Sequence, residues 1–250
     1  MENGEFIDVV DREGKLLADA AGAAGADAGV PGCPGWRVRD LLRHTGTVHR
    51  WVTALVAEGR ESYRPPEPEP AYDGDALLAW FREGHRSLVS TLTAAPDDLS
   101  CWTFRPVPSP LAFWVRRQAH ETAVHRVDAE SALGGAPGTA GTLSPVPPGF
   151  AADGIAELLE LHGQDRSRVR SATPRILRVG ATDTGDVWTV RITEEPVVAD
   201  ASGTGPADCE LRDTAERLYL TLWNRLPLSA VSLTGDAATA ALWRESSAIG

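Results

Sequence analysis

The run His120-Glu121-Thr122-Ala123-Val124-His125-Arg126-Val127-Asp128 carries imidazoles and carboxylates densely enough to hold a metal ion. At about 100° per residue on a helix, Glu121 and His125 project only about 40° apart, so a carboxylate and an imidazole can converge on one cation. His120 and His125 diverge by about 140°, which excludes the zincin arrangement, in which both histidines of HExxH share a face. Glu121 is therefore a ligand candidate and not a zincin-type general base. Trp114, Gln118, Glu121, His125 and Asp128 follow a three/four spacing and form one polar stripe. Such a stripe is either a solvated face or the lining of a cavity, and Val124 and Val127 beside it favour burial.

Two donors on one helix need a third from elsewhere. His44, near the centre of another predicted helix, is preferred over its rivals His49 and His120. His49 lies five positions after His44 and faces elsewhere, and His120 points away from the Glu121/His125 face. Two imidazoles and one carboxylate form a catalytic zinc set with a fourth position open to an incoming ligand. Nickel or iron would accept the same donors. The plainer alternative is an ordinary i, i+4 pair on a wet helix face, with His44 a surface or core histidine. Asp128, one turn beyond His125, is placed to orient an imidazole from behind, although a solvated aspartate is the commoner case. Cys33 lies in a turn near a helix start, where a thiolate gains some stabilisation, but a small buried residue is the commoner role. His85 and His162 have no partner in sequence. There is no GxSxG, P-loop or GxGxxG, so nucleophile-elbow and phosphate-cradle chemistry lack support.

The elements that must position these groups are legible from periodicity. A first helix runs from about residue 6 to 24. Val30-Pro31-Gly32-Cys33-Pro34-Gly35-Trp36 then forms a rigid turn, because its prolines and glycines block helix. A second helix, from 38 to about 58, repeats Val38, Leu41, Leu42, Val48, Val52 and Leu55 at helical spacing and contains His44. A proline-rich connector from 63 to 72 leads to a third helix at about 75–94, and a second proline-punctuated segment leads to a fourth at about 111–133. Four helices joined this way predict a four-helix bundle, which builds metal sites from inward-facing side chains on different helices. Gly, Pro, Ala and Thr dominate from 134 to 149, so the division expected is a bundle over 1–135, a linker over 136–149 and a smaller α+β domain over 150–250. Within the last, helices are expected at 153–165, 214–224 and 236–244. Strands are expected at 175–180, 186–193, 195–199, 208–211 and 230–234.

Composition narrows the partners. A net charge of -11 argues against nucleic acid, whose binding needs a basic face to release counterions. Cys33, Cys101 and Cys209 are odd in number and far apart, which fits neither a disulfide framework nor a CxxC knuckle and points to a reducing cytoplasm. The first residues lack a basic, then apolar, leader, and no apolar run reaches 18 residues, so neither export nor a membrane span is expected. Oligomeric state is not encoded in any readable feature.

Two separated segments carry a resemblance. Cys33-Pro34-Gly35-Trp36-Arg37-Val38-Arg39-Asp40-Leu41-Leu42-Arg43-His44 and Ala119-His120-Glu121-Thr122-Ala123-Val124-His125-Arg126-Val127-Asp128-Ala129-Glu130 together resemble the mycothiol-dependent maleylpyruvate isomerase family of actinobacteria, within the DinB-like superfamily. Leu222-Trp223-Asn224-Arg225 and Leu233-Thr234-Gly235-Asp236 resemble its C-terminal domain. The resemblance implies a DinB-like four-helix bundle and a divalent metal held by His44, Glu121 and His125. It also implies mycothiol as cosubstrate and a small electrophile that is isomerised cis to trans or receives the thiol. Arg126 and Arg225 are candidates to meet a substrate carboxylate. A non-catalytic ligand-binding or regulatory protein and a thiol-independent metal hydrolase are the alternatives.

Overall fold

The computed structural model of the protein describes residues 1–134, 143–201 and 203–247. The chain forms two compact units, Met1–Leu143 and Ser144–Gly250. Of the expected linker, residues 136–142 lie outside the described residues.

The first unit is a four-helix bundle of α1 (Asn3–Ala24), α2 (Val38–Ala57), α3 (Gly74–Ala94) and α4 (Pro110–Ser131). Each helix starts where its local chemistry directs. The Asp40 carboxylate accepts from the Arg37 amide ahead of α2. Ser109 caps α4 by accepting from the Ala112 amide, and Pro110 occupies the first turn, where its missing N–H costs nothing. Helix α1 packs on α3 and α4, and α2 packs on the same two from the other side. Leu17, Ala21, Leu41, Leu42, Leu77 and Phe81 form one shared core. Turn 30–36 is docked on that core through Val30, with Cys33 and Trp36 packed against it. It is closed by Val30 N–H to Trp36 O and Trp36 N–H to Cys33 O, at 3.0 and 2.9 Å. Gly35 at φ +89° permits the reversal, since side-chain-bearing residues avoid that region.

Helix α4 departs from the ordinary amphipathic pattern. Sixteen of its 22 residues are buried. Eight of those are polar or charged (Arg117, Gln118, His120, Thr122, His125, Arg126, Asp128 and Glu130), so its burial must be supported by pairing and not by apolar contact alone.

The second unit has helix α5 (Pro148–His162) and a five-stranded sheet of β1 (Arg175–Ala181), β2 (Val187–Ile192), β3 (Val198–Asp200), β4 (Cys209–Asp213) and β5 (Ser232–Gly235). Helix α6 (Ala215–Leu222) follows β4, and α7 (Ala237–Ser246) closes the described chain. The sheet order is β3-β2-β1-β4-β5, with only β1 and β4 parallel. Leu177, Val179, Cys209 and Leu211 point to the buried face, against which α6 and α7 pack. The expectation of an all-α bundle followed by a smaller α+β unit is met, but α5 begins five residues earlier than its apolar pattern suggested. Pro147 and Pro148 are the reason: a proline suits the first helical turn as well as it suits a linker. The two C-terminal signature segments have structural work. Asn224 adopts φ +64° just after α6, a conformation asparagine tolerates, and donates to Arg244 O at 3.1 Å. Gly235 at φ +85° has no room for a Cβ beside Asp208 O, and Asp236 caps α7. Among the described residues no helix is long and apolar enough to cross a membrane.

His162 ends α5 with its imidazole edge-on to Trp243 at 5.0 Å and Nδ1 2.9 Å from Ser167 Oγ. Burial lowers its pKa from 6.5 to about 4. The unfolded chain therefore takes up a proton at higher pH than the folded one. The stability owed to neutral His162 is full above pH 6.5 and is lost as pH falls toward 4. The expected loss is on the order of 3 kcal/mol. Urea unfolding followed through tryptophan fluorescence should show this fall between pH 7 and 4.5 in the wild type, and a flatter profile in His162→Gln.

Candidate metal centre

His44 on α2 and Glu121 and His125 on α4 each place a ligand atom within 4.8 Å of the other two. Glu121 Oε1 lies 3.4 Å from His44 Nε2 and 3.2 Å from His125 Nε2. The imidazoles stand edge-on at 5.1 Å between centroids. Both Nε2 atoms thus converge on one carboxylate oxygen. The other, Oε2, takes Arg117 Nη2 at 2.9 Å from one turn earlier on α4.

Asp128, which spacing alone leaves more often solvated, is fully buried. Its Oδ2 lies 2.9 Å from His125 Nδ1 and accepts from the Cys33 thiol at 3.4 Å. The carboxylate holds the proton of His125 on Nδ1 and turns Nε2 toward Glu121. Trp36, delivered by the same turn as Cys33, stacks on His125 at 6.3 Å and 19° and lies 5.1 Å from the His44 ring. One face of the cluster is therefore apolar and the other hydrogen-bonded.

The electrostatics follow from this enclosure. Burial works against the charged form of His125, but the Asp128 and Glu121 carboxylates outweigh it and raise its pKa to about 9. Burial likewise pushes the Glu121 carboxyl up, while hydrogen bonds from His125 and His44 and the charge of Arg117 hold it well below the usual range. The cluster thus concentrates negative potential on a point faced by two imidazole nitrogens and one carboxylate oxygen. These donors suit a divalent cation, which would take the place of the shared proton.

The rival histidines lie elsewhere. His120 is buried with its ring edge toward Phe6 on α1, 6.0 Å away. His49 is buried with Nε2 3.1 Å from Thr122 Oγ1, and burial lowers its pKa to about 3. His85, also buried, lies 3.1 Å from Val10 O. The stripe Trp114, Gln118, Glu121, His125 and Asp128 is an interior one, with only Glu121 appreciably open, at 20% of its side chain. Arg126 is not available to a substrate carboxylate. Its guanidinium is 1% exposed and is spanned by Glu13 and Glu130, each at 2.7 Å. Position 126 is about 100° around the helix from His125, so it faces α1. Arg225 donates to Trp223 O at 2.7 Å.

Three contributors escaped the sequence pattern. Arg117 was signalled by its i, i+4 spacing to Glu121, a pair of ordinary surface type that here is interior. Trp36 had only its place in the turn to mark it. The Cys33–Asp128 contact spans 95 residues, and no local spacing reports it.

A four-helix bundle with this histidine-glutamate-histidine cluster between its second and fourth helices has the DinB-like fold. Over 94% of the chain it aligns with mycothiol-dependent maleylpyruvate isomerase at a TM-score of 0.64, with 12% identity and 93% of that chain covered. A histidine-to-alanine variant of that enzyme aligns equally far at 0.66, with 11% identity. Residues 8–130 match the family of the mycothiol maleylpyruvate isomerase N-terminal domain, and through them the chain belongs to that family. No curated protein matches the chain.

The buried Glu13–Arg126–Glu130 set yields a direct expectation. Removing the cation takes this partner from buried Glu130 and leaves Glu13 with the half-exposed Arg12, so Arg126→Leu should lower stability by roughly 3–5 kcal/mol. Urea unfolding at pH 7 measures it, and an unchanged midpoint would mean the ion set contributes nothing.

Proposed function

We propose that His44, Glu121 and His125 bind one divalent cation, zinc by donor type, and that the chain is an enzyme acting with a small thiol, mycothiol. In this reading the thiol is transferred to a small electrophile or promotes its cis-trans isomerisation. The observation that carries the reading is the convergence of three ligand atoms, from two helices, within 4.8 Å. The thiol is supported by the family match and by the mycothiol dependence of the isomerase whose solved structure shares the fold.

The residues divide the work by position. Asp128 fixes the His125 tautomer so that Nε2 is the ligand atom. Arg117 neutralises Glu121 Oε2 and leaves Oε1 toward the imidazoles. The Trp36 indole limits water on the imidazole faces, which strengthens the local electrostatics. A free thiol has a pKa of about 8.5, and a bound dication favours its thiolate, the nucleophilic form. The sulfur adds to an activated double bond of the electrophile. Loss of the same sulfur after rotation gives isomerisation, and retention, with the proton the thiol released taken up at the neighbouring carbon, gives transfer.

Two measurements test this. Zinc per chain should be near one in the wild type and fall at least tenfold in His44→Ala and His125→Ala. Equal, near-stoichiometric zinc in all three would sink the ligand set. Thiol consumption or isomer formation across a panel of electrophiles should require both metal and thiol. Turnover with metal but no thiol would favour a hydrolase, and binding without turnover a ligand-sensing protein.

A further inference from the structure

Two protons meet on Asp128 Oδ2. It accepts from the Cys33 thiol at 3.4 Å and lies 2.9 Å from His125 Nδ1, and the carboxylate is wholly enclosed. A ligand atom from each of Cys33, His125 and Asp128 lies within 4.8 Å of the other two. This set sits on the edge of the His125 ring away from the triad, because Nε2 is the nitrogen that faces Glu121, at 3.2 Å. His125 therefore stands between two groups of donors and offers a different nitrogen to each. Thiolate, imidazole and carboxylate are all zinc donors, and the sulfur adds a preference for softer cations. Around a tetrahedral zinc such atoms stand about 3.4–3.6 Å apart, so the sulfur–oxygen spacing already fits and the oxygen–nitrogen spacing would open by roughly 0.5 Å. The charge also balances. A bound dication would send the thiol proton and the Nδ1 proton to solvent, two positive charges replacing two, so the enclosed carboxylate faces the same total charge. Cys33 is half-buried and the most open of the three, which leaves the side of turn 30–36 as the approach.

We propose that Cys33, His125 and Asp128 form a second cation site, for a thiophilic dication, on the reverse edge of the imidazole from the triad. The site shares His125 with the triad but needs neither His44 nor Glu121, so the two can fail separately. Filling it displaces two protons and the Asp128–His125 hydrogen bond. It therefore fills only when such a cation is added in excess, and zinc that stays with the chain through purification belongs to the triad. A cation held there replaces the hydrogen bond behind His125 with a metal–nitrogen bond and withdraws the Cys33 sulfur from other chemistry.

Cadmium is the probe, because its bonds to thiolate absorb in the ultraviolet. The full chain, freed of metal by a chelator and titrated with cadmium, should develop this absorption in the wild type and in His44→Ala alike. The near-isosteric Cys33→Ser should lose it. A second measurement needs no change at Cys33. Alkylation of Cys33 by iodoacetamide, followed by mass spectrometry, should slow by at least about tenfold in saturating cadmium, because the bound thiolate is no longer a free nucleophile. Wild type without the absorption, and with Cys33 alkylated at an unchanged rate, overturns the second site and leaves the triad standing. Absorption that disappears in His44→Ala assigns Cys33 to the triad's own site and equally overturns a second one. The triad fails by a different sign, zinc in the purified chain that His44→Ala does not diminish.

Discussion

Helix α4 is polar around much of its circumference and buried around most of it, and the bundle is arranged to meet the cost of that combination. An enclosed charge without a partner loses far more solvation than packing returns. Each charged group on α4 is accordingly matched. Arg126 is spanned by Glu13 and Glu130, Glu121 is held between Arg117 and two imidazoles, and Asp128 is shared by His125 and Cys33. Replacing these groups with leucine and alanine would make a simpler bundle of similar volume. That Glu121 and His125 instead converge with His44 on one point, with Asp128 behind His125, is the physical argument that this side of the helix serves chemistry before stability.

The site owes its rigidity to a turn outside the helices that carry it. Residues 30–36 are closed by their own backbone hydrogen bonds and docked on the core, so Cys33 and Trp36 arrive at fixed positions. One reaches behind His125 through Asp128, and the other covers the faces of both imidazoles. Donors supported this way would lose little entropy on closing around the proposed cation, which is the general requirement for a preorganised centre. The exposed fraction is left to Glu121 and His44, at 20% and 33% of their side chains, where a small molecule would approach.

Much of the scaffold was readable because it depends on local physics. Helical periodicity placed all four bundle helices to within a few residues, and proline and glycine marked the connectors. The same residues misled where one chemistry serves two ends. Pro147 and Pro148 read as linker and open α5, and Arg126 read as a substrate contact because a helix-borne arginine is usually exposed. The pairing of Glu121 with His125 was legible from spacing, and the same arithmetic preferred His44 over His49 and His120, while the approach of His44 to that pair is set by how α2 packs on α4.

The sequence by itself determined what repeats within a turn or two of helix: the bundle, the amphipathic faces, the stripe from Trp114 to Asp128 and the divergence of His120 from it. Only the tertiary structure decided which way that stripe faces, and which distant residues meet it. Glu13, Cys33, Trp36 and His44 reach α4 across 77 to 113 residues of chain. Such contacts are set by how whole helices pack, through cores of interchangeable apolar residues, and no local spacing in the chain encodes that choice.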